Sequence, residues 1–300
     1  MRVNIWLLRI VWVTLPVAAG DAASSVVAGF ARAPAITVQV VLWAGWGLGL
    51  VALAVPGPVT ITAVRLLAWL GAGTTLVAGL GTDTPRRELL LALGTIGLAA
   101  VLSATPTFAR ACLQQVAYGT EERFPLRTPP ALFLGILPAA VTLVGAGALA
   151  GPLLVASGHL GAGVPTWAAG WVAAGWTIRS LHTLAGRFLV LVPAGLVIAD
   201  PLTLTDPVLC TRDRLRALTP LDPRRPPPPA SLDLRLGAGS GSLLVEVDPP
   251  LETPVRVRRR VELRPAGGLI VACATPRALL AAAAAHRLPV QVAPAPGRAR

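Results

Sequence analysis

Apolar positions in the first 184 residues gather into six long runs, near 4–30, 36–55, 59–80, 88–105, 131–157 and 163–184. A helix needs about 20 mainly apolar residues to cross a hydrocarbon core about 30 Å thick, and these runs are of that order. Between the fourth and fifth lies a polar loop, 106–130, whose first half, FARACLQQVAYG, spaces its apolar residues as an amphipathic helix on a membrane surface. Beyond residue 186 the period shortens to two. FLVLVPAGLVIA, Phe188 to Ala199, is too short to span and carries the turn signal PAG at its middle. It predicts a β-hairpin that Asp200-Pro201 ends.

The same grammar predicts further strands at Pro207–Thr211, LDLRLG (232–237), SLLVEVD (242–248), VRVRRRVELR (255–264) and GLIVACA (268–274). Turns are expected at GAGSGS and PPLETP, and a stiff linker at RRPPPP (224–229). Thr275 is placed as an N-cap, Pro276 as the first helical residue, and RALLAAAAAHR as a closing helix. The expected domains are therefore a transmembrane helical domain over 1–186, a β-rich domain over 187–290, and a disordered tail over 291–300.

Composition agrees with the pattern. A chain with 54% hydrophobic and 13% charged residues and a mean hydropathy of +0.68 is too apolar for a soluble domain of 300 residues. Every basic residue other than His is Arg, which we read as codon bias rather than chemistry. Nine Arg stand against five acids up to Trp176, and 17 against nine after it, while all eight Trp lie in the first part. Three widely spaced cysteines, Cys112, Cys210 and Cys273, match neither a disulfide framework nor a zinc pattern and read as reduced thiols.

Arg is the residue to count for orientation. With Arg2 and Arg9 inside, six spans return the C-terminal part to the cytosol, together with Arg110, Arg123 and Arg127 of the loop; Arg86 and Arg87 then lie outside, against the rule. The first run also has the features of a signal peptide ending in PVAAGDAAS, but five further spans favour a retained helix. Ionisable residues within spans are costly, which makes Asp21 and Arg65 the candidate intramembrane polar site. Asp21 either pairs with Arg65 or serves as a proton site, or else it sits at a helix end near headgroups. Arg9 and Arg65 have stems long enough to snorkel. Gly147 and Gly151 form a GxxxG in the fifth run.

In the loop, Tyr118, Glu121, Glu122 and Arg123 form a candidate contact patch within YGTEERFPLR. In VRVRRRVELR strict alternation sets Arg256, Arg258, Arg260 and Arg264 on one face, a candidate contact for anionic lipid headgroups or a protein partner, and otherwise a solvated outer face. No HExxH, GxSxG or GxxxxGK[ST] occurs, and His159, His182 and His286 are far apart, so no catalytic residues, cofactor or metal are expected. The basic residues have no aromatic platform beside them, so nucleic acid is not an expected partner.

The order of strands followed by one helix over Arg187 to about Leu288 resembles a bacterial pleckstrin-homology-like domain, a small bent β-barrel with a helix over one open end. Through YGTEERFPLR (118–127) and RFLVLVPAGLVIADPLTL (187–204), the whole chain is similar to an uncharacterised polytopic membrane protein family of high-GC bacteria. The resemblance implies a PH-like fold and no activity. The expected function is a plasma-membrane interaction or scaffolding module with a cytosolic C-terminal domain. The alternative is a small-solute or proton-coupled transport protein with a regulatory cytosolic domain, using Asp21 together with Arg65.

Overall fold

The computed structural model describes residues 2–81, 83–132, 137–224, 226–257 and 260–291. The chain folds as two compact units, Met1–Cys112 with Leu134–His182, and Leu113–Phe133 with Thr183–Arg300. The expected tail, save Gln291, lies outside the described residues, as do Arg258 and Arg225.

The first unit is helical: α1 (Arg2–Val27), α2 (Arg32–Ala54), α3 (Pro58–Gly81), α4 (Arg86–Ala104), the first part of α5 (Pro106–Gln115), α6 (Leu137–Ala156) and α7 (Leu160–Ala185). Proline punctuates it. Pro58 and Pro106 open α3 and α5, where a missing N–H costs nothing, and Pro85 stands immediately before α4. Among the described residues five helices, within α1, α2, α3, α4 and α6, are long and apolar enough to cross a membrane, one fewer than the six runs predict. The sixth run forms the 26-residue α7. Its glycines, three tryptophans, Pro165, Arg179 and His182 dilute its apolar character without shortening it.

Small residues set the helix spacing. A Cβ on Gly147 would lie 2.2 Å from the Gly170 Cα, and one on Gly151 2.5 Å from the Trp167 Cα, so α6 and α7 meet backbone to backbone along the GxxxG face. Between α1 and α2, Trp12 occupies the space that Gly49 leaves open. The indoles of Trp12 and Trp46 each donate to the other's carbonyl oxygen at 2.9 Å, so neither N–H is stranded in an apolar medium.

The second unit holds two four-stranded sheets and a helix. The strands are β1 (Glu122–Pro125), β2 (Phe188–Val192), β3 (Gly195–Ala199), β4 (Val208–Thr211), β5 (Leu215–Pro220), β6 (Ser231–Asp233), β7 (Ser242–Val257) and β8 (Arg260–Ala272), and the helix is α8 (Pro276–Ala285). Sheet orders are β1-β2-β3-β4 and β5-β7-β8-β6, antiparallel except for the β6–β8 pair. An antiparallel bridge, Leu126 to Cys273, links the end of β1 to the end of β8. Phe124, Leu189, Leu191 and Ile198 of one sheet share a core with Leu218, Val245, Leu269 and Val271 of the other and with Leu279 of α8. No closed barrel is found among the described residues; the expected barrel is instead these two sheets around a common core.

The hairpin at Phe188–Ala199 forms as predicted, with Pro193-Ala194 as its turn. Gly195 has φ +149, and a Cβ there would stand 2.1 Å from the Cys210 carbonyl oxygen, so the close approach of β3 to β4 requires glycine. Three readings change. GTEERFP contributes β1; LRALTP contributes β5; and PPLETP is no turn but lies inside β7, where Pro249 and Pro250 occupy a register shift between Glu246 and Leu251. Thr275 precedes α8 as expected, yet its buried hydroxyl makes no cap bond.

Candidate functional site

In the helical unit the polar groups sort by end. Arg9 donates from Nε and Nη2 to the Leu53 carbonyl at 3.0 and 2.7 Å, in the last turn of α2. Arg65 donates from Nε to the Ser103 carbonyl at 2.8 Å, in the last turn of α4. Each cation thus meets the negative end of a neighbouring helix. The Arg9 guanidinium also lies 4.8 Å from the Trp6 ring centroid. Asp21 is exposed near the far end of α1, one turn before Ser25, whose hydroxyl donates to Glu88 at 3.2 Å. The structure therefore does not bring Asp21 to Arg65.

These contacts fix which helix ends lie together. Up to Cys112, Arg32, Arg86 and Arg87 share one end with all three acids, Asp21, Asp83 and Glu88, so that end is balanced. Arg2, Arg9, Arg65 and Arg110 occupy the other, where the sequence supplies no acid. Cys112 is buried at this second end. Burial pushes its thiol up to about 12, against the opposing pull of Arg65 and then Arg9.

An apolar cleft of about 380 Å³ runs between α2 and the α6–α7 pair, lined by Ile36, Val40, Pro152 and Trp167 among others. It has no convergent polar groups to select a ligand.

In the sheet unit the most polar buried feature is an ion pair. The ladder pairs Phe188 with Ala199, so the next positions outward, Arg187 and Asp200, face each other. Arg187 grips the carboxylate through Nε–Oδ1 and Nη2–Oδ2, both 2.7 Å, and both residues are at most 3% exposed. Nη1 donates to the Arg127 carbonyl at 2.9 Å, and the Leu202 N–H donates to Asp200 Oδ1 at 3.1 Å. The pair joins the start of β2, the end of β3 and the chain after β1, and is closed to any ligand.

The loop patch is internally paired. Glu121 binds Arg123 at 3.2 Å, Glu122 lies 3.6 Å from His286, and the Arg123 guanidinium stands over Phe188 at 5.5 Å. Gln114 bridges the Glu121 carbonyl and the Arg123 N–H, which holds β1 at the sheet edge. Tyr118 is 80% exposed and is the free surface of this patch.

The Arg row is rearranged. The predicted single strand divides between β7 and β8, which pair antiparallel out to Val257 opposite Arg260. Arg256 faces Val261, and shares its side with Pro254 and Leu263; Arg260 and Arg264 lie on the opposite side with Glu262. Arg264 is paired with Glu262 at 2.7 Å. Arg256 and Arg260 are exposed on this arm, and Arg258 lies outside the described residues. The arm adds what alternation alone did not reveal, two large apolar side chains in the open: Val261 at 58% and Leu263 at 66% exposure.

Among the described residues no group of three or more His, Cys, Asp or Glu side chains is arranged to hold a metal ion. The chain matches no family model, no curated protein and no solved structure.

Proposed function

We propose that this is a multi-pass bacterial plasma-membrane protein that displays a pleckstrin-homology-like unit at the cytosolic surface as an interaction or scaffolding module. One observation carries the reading: β1, from the segment between α5 and α6, pairs with β2, which follows α7, in the register Glu122–Leu191 to Pro125–Phe188. Two chain segments separated by a helical pair build one sheet, so both must emerge on the same side of the bilayer. Because α6 qualifies as a span, α7 must then cross as well, which supports six crossings. The end bearing Arg2, Arg9, Arg65 and Arg110, four arginines against three at the other end, is the one expected to face the cytosol.

The test uses the wild-type thiols as a blank background. All three are buried, and burial pushes Cys112 and Cys210 up to about 12. Thiolate is the reactive form, so from pH 7 to 9 the native protein should label slowly with maleimide. Tyr118→Cys and Leu263→Cys, made separately, should resist a membrane-impermeant maleimide in intact cells and react on permeabilisation. Labelling of either in intact cells would overturn the cytosolic assignment.

The β7–β8 arm is the contact surface this reading offers to anionic headgroups or a protein partner. Flotation of the detergent-solubilised full chain with anionic vesicles should fall when Arg256 and Arg260 are changed to Ala. It should also fall near 1 M salt, where the Debye length is about 3 Å. Flotation indifferent to both would remove the arm from that role. The transport alternative gains no support, since the exposed Asp21 has Arg65 at the far end of the bundle.

A further inference from the structure

We infer that Arg9 and Arg65 form a binding site for a phosphate-bearing anion, such as a phospholipid headgroup, at the acid-free end of the helical unit. The guanidiniums come from α1 and α3, which both pack against α2 and α4, and their acceptors, Leu53 and Ser103, lie in the last turns of those two helices. Each is already fixed in place, Arg9 by two bonds to the Leu53 carbonyl and Arg65 by one to Ser103. Among the described residues neither cation has a carboxylate partner, and the Arg65 terminal nitrogens make no bond to a protein acceptor.

Position in the helices argues for the same ligand. Arg9 and Arg65 each stand seven residues past the first residue of their helix, Arg2 and Pro58, about 10 Å along the axis. Their acceptors each lie one residue before the end of α2 and α4. Both cations are thus held at the level where helices leave the hydrocarbon core and phosphates begin. Two preorganised forks without a counter-charge at that depth match the planar, bidentate donor geometry that phosphate oxygens accept. Basic pockets between spanning helices on the cytoplasmic side take anionic headgroups for this reason. The helix-end carbonyls orient the forks and supply only partial charge, so a full anion is still needed to balance two cations.

Native mass spectrometry of the delipidated full-length protein tests this with phosphatidylglycerol, phosphatidylcholine and inorganic phosphate as probes. One phosphatidylglycerol per chain is expected, bound at least about tenfold more tightly than phosphatidylcholine, whose choline offsets the phosphate charge. Arg9→Met and Arg65→Met should each weaken it by about tenfold or more, the loss of one charge-assisted bond. Arg32→Met, at the balanced end, should change nothing. Arg65→Lys, which keeps the charge and loses the fork, should fall between, and it keeps the test informative if the Met variant fails to fold. Displacement of the lipid by inorganic phosphate would identify a soluble phosphate source; resistance to it would identify the headgroup. Equal retention of both lipids by wild type, unchanged in Arg9→Met and Arg65→Met, would overturn the site and leave the two arginines as helix caps.

Discussion

Replacing Asp200 with Ala should destabilise the sheet unit by about 3–5 kcal/mol, because it leaves the Arg187 charge buried without its partner. Small domains have only about 5–15 kcal/mol in hand, so much of the unit's margin would go. Asp200→Asn should also cost heavily, since an amide presents one acceptor oxygen where Arg187 Nε and Nη2 each need one. The replacement of both partners by apolar residues, Arg187→Met with Asp200→Leu, should restore much of the loss, because no charge is then stranded. Cys210 and Cys273 are buried in this unit's core and report on it directly. Their reactivity with maleimide across a urea series in the full-length protein should shift to lower urea in Asp200→Ala and return towards wild type in the double variant. An unmoved midpoint in Asp200→Ala would show that the pair contributes nothing to the fold.

The second large effect is expected at the α6–α7 contact. Gly147→Leu inserts a side chain where even a Cβ would sit 2.2 Å from the Gly170 Cα, and the obstruction is backbone that cannot rotate away. Overpacking of this kind costs about 1–3 kcal/mol when neighbours adjust; here the helices must separate, so the upper part of that range is expected. Gly94→Leu and Gly97→Leu, where nothing lies within 4 Å, should be nearly silent. All eight tryptophans precede residue 177, so intrinsic fluorescence during thermal unfolding reads the helical unit alone. A midpoint equally unmoved in Gly147→Leu and Gly97→Leu would show that α6 and α7 do not meet along this face.

The sequence was most informative where structure is local. The β2–β3 hairpin was legible because its apolar runs are adjacent and its turn residues sit between them. The Arg187–Asp200 pair was within reach of the same reasoning, since the ladder that pairs Phe188 with Ala199 leads straight to it. β1 was not legible: ERFP is four residues in a charged loop, and it is a strand only because β2 supplies its hydrogen bonds from far along the chain. The sides of the Arg row were hidden for a different reason. PPLETP has the composition of a turn but lies inside β7, and VRVRRRVELR divides between β7 and β8, which reassigns the residues that share a side. The polar ends of the bundle were equally hidden, because each half of the Arg9–Leu53 and Arg65–Ser103 contacts lies on a different helix. Asp21 drew attention as a lone acid in an apolar run, a signal that does not distinguish a helix end from a buried site.

The interleaving of β1 with β2 also constrains how the protein is made. β1 leaves the ribosome before α6 and α7 exist, and its partner follows only after that helical pair has been synthesised. Until then Phe124, buried in the finished unit, has no core to enter, and an unpaired edge stands ready for wrong partners. With the six crossings proposed above, insertion of α6 and α7 in the right orientation is a precondition for folding the sheet unit, not a separate event. A chain that inserted only one helix of that pair would carry β1 and β2 on opposite sides of the bilayer. Its misfolding would then appear first in the sheet unit, although the fault lay among the helices.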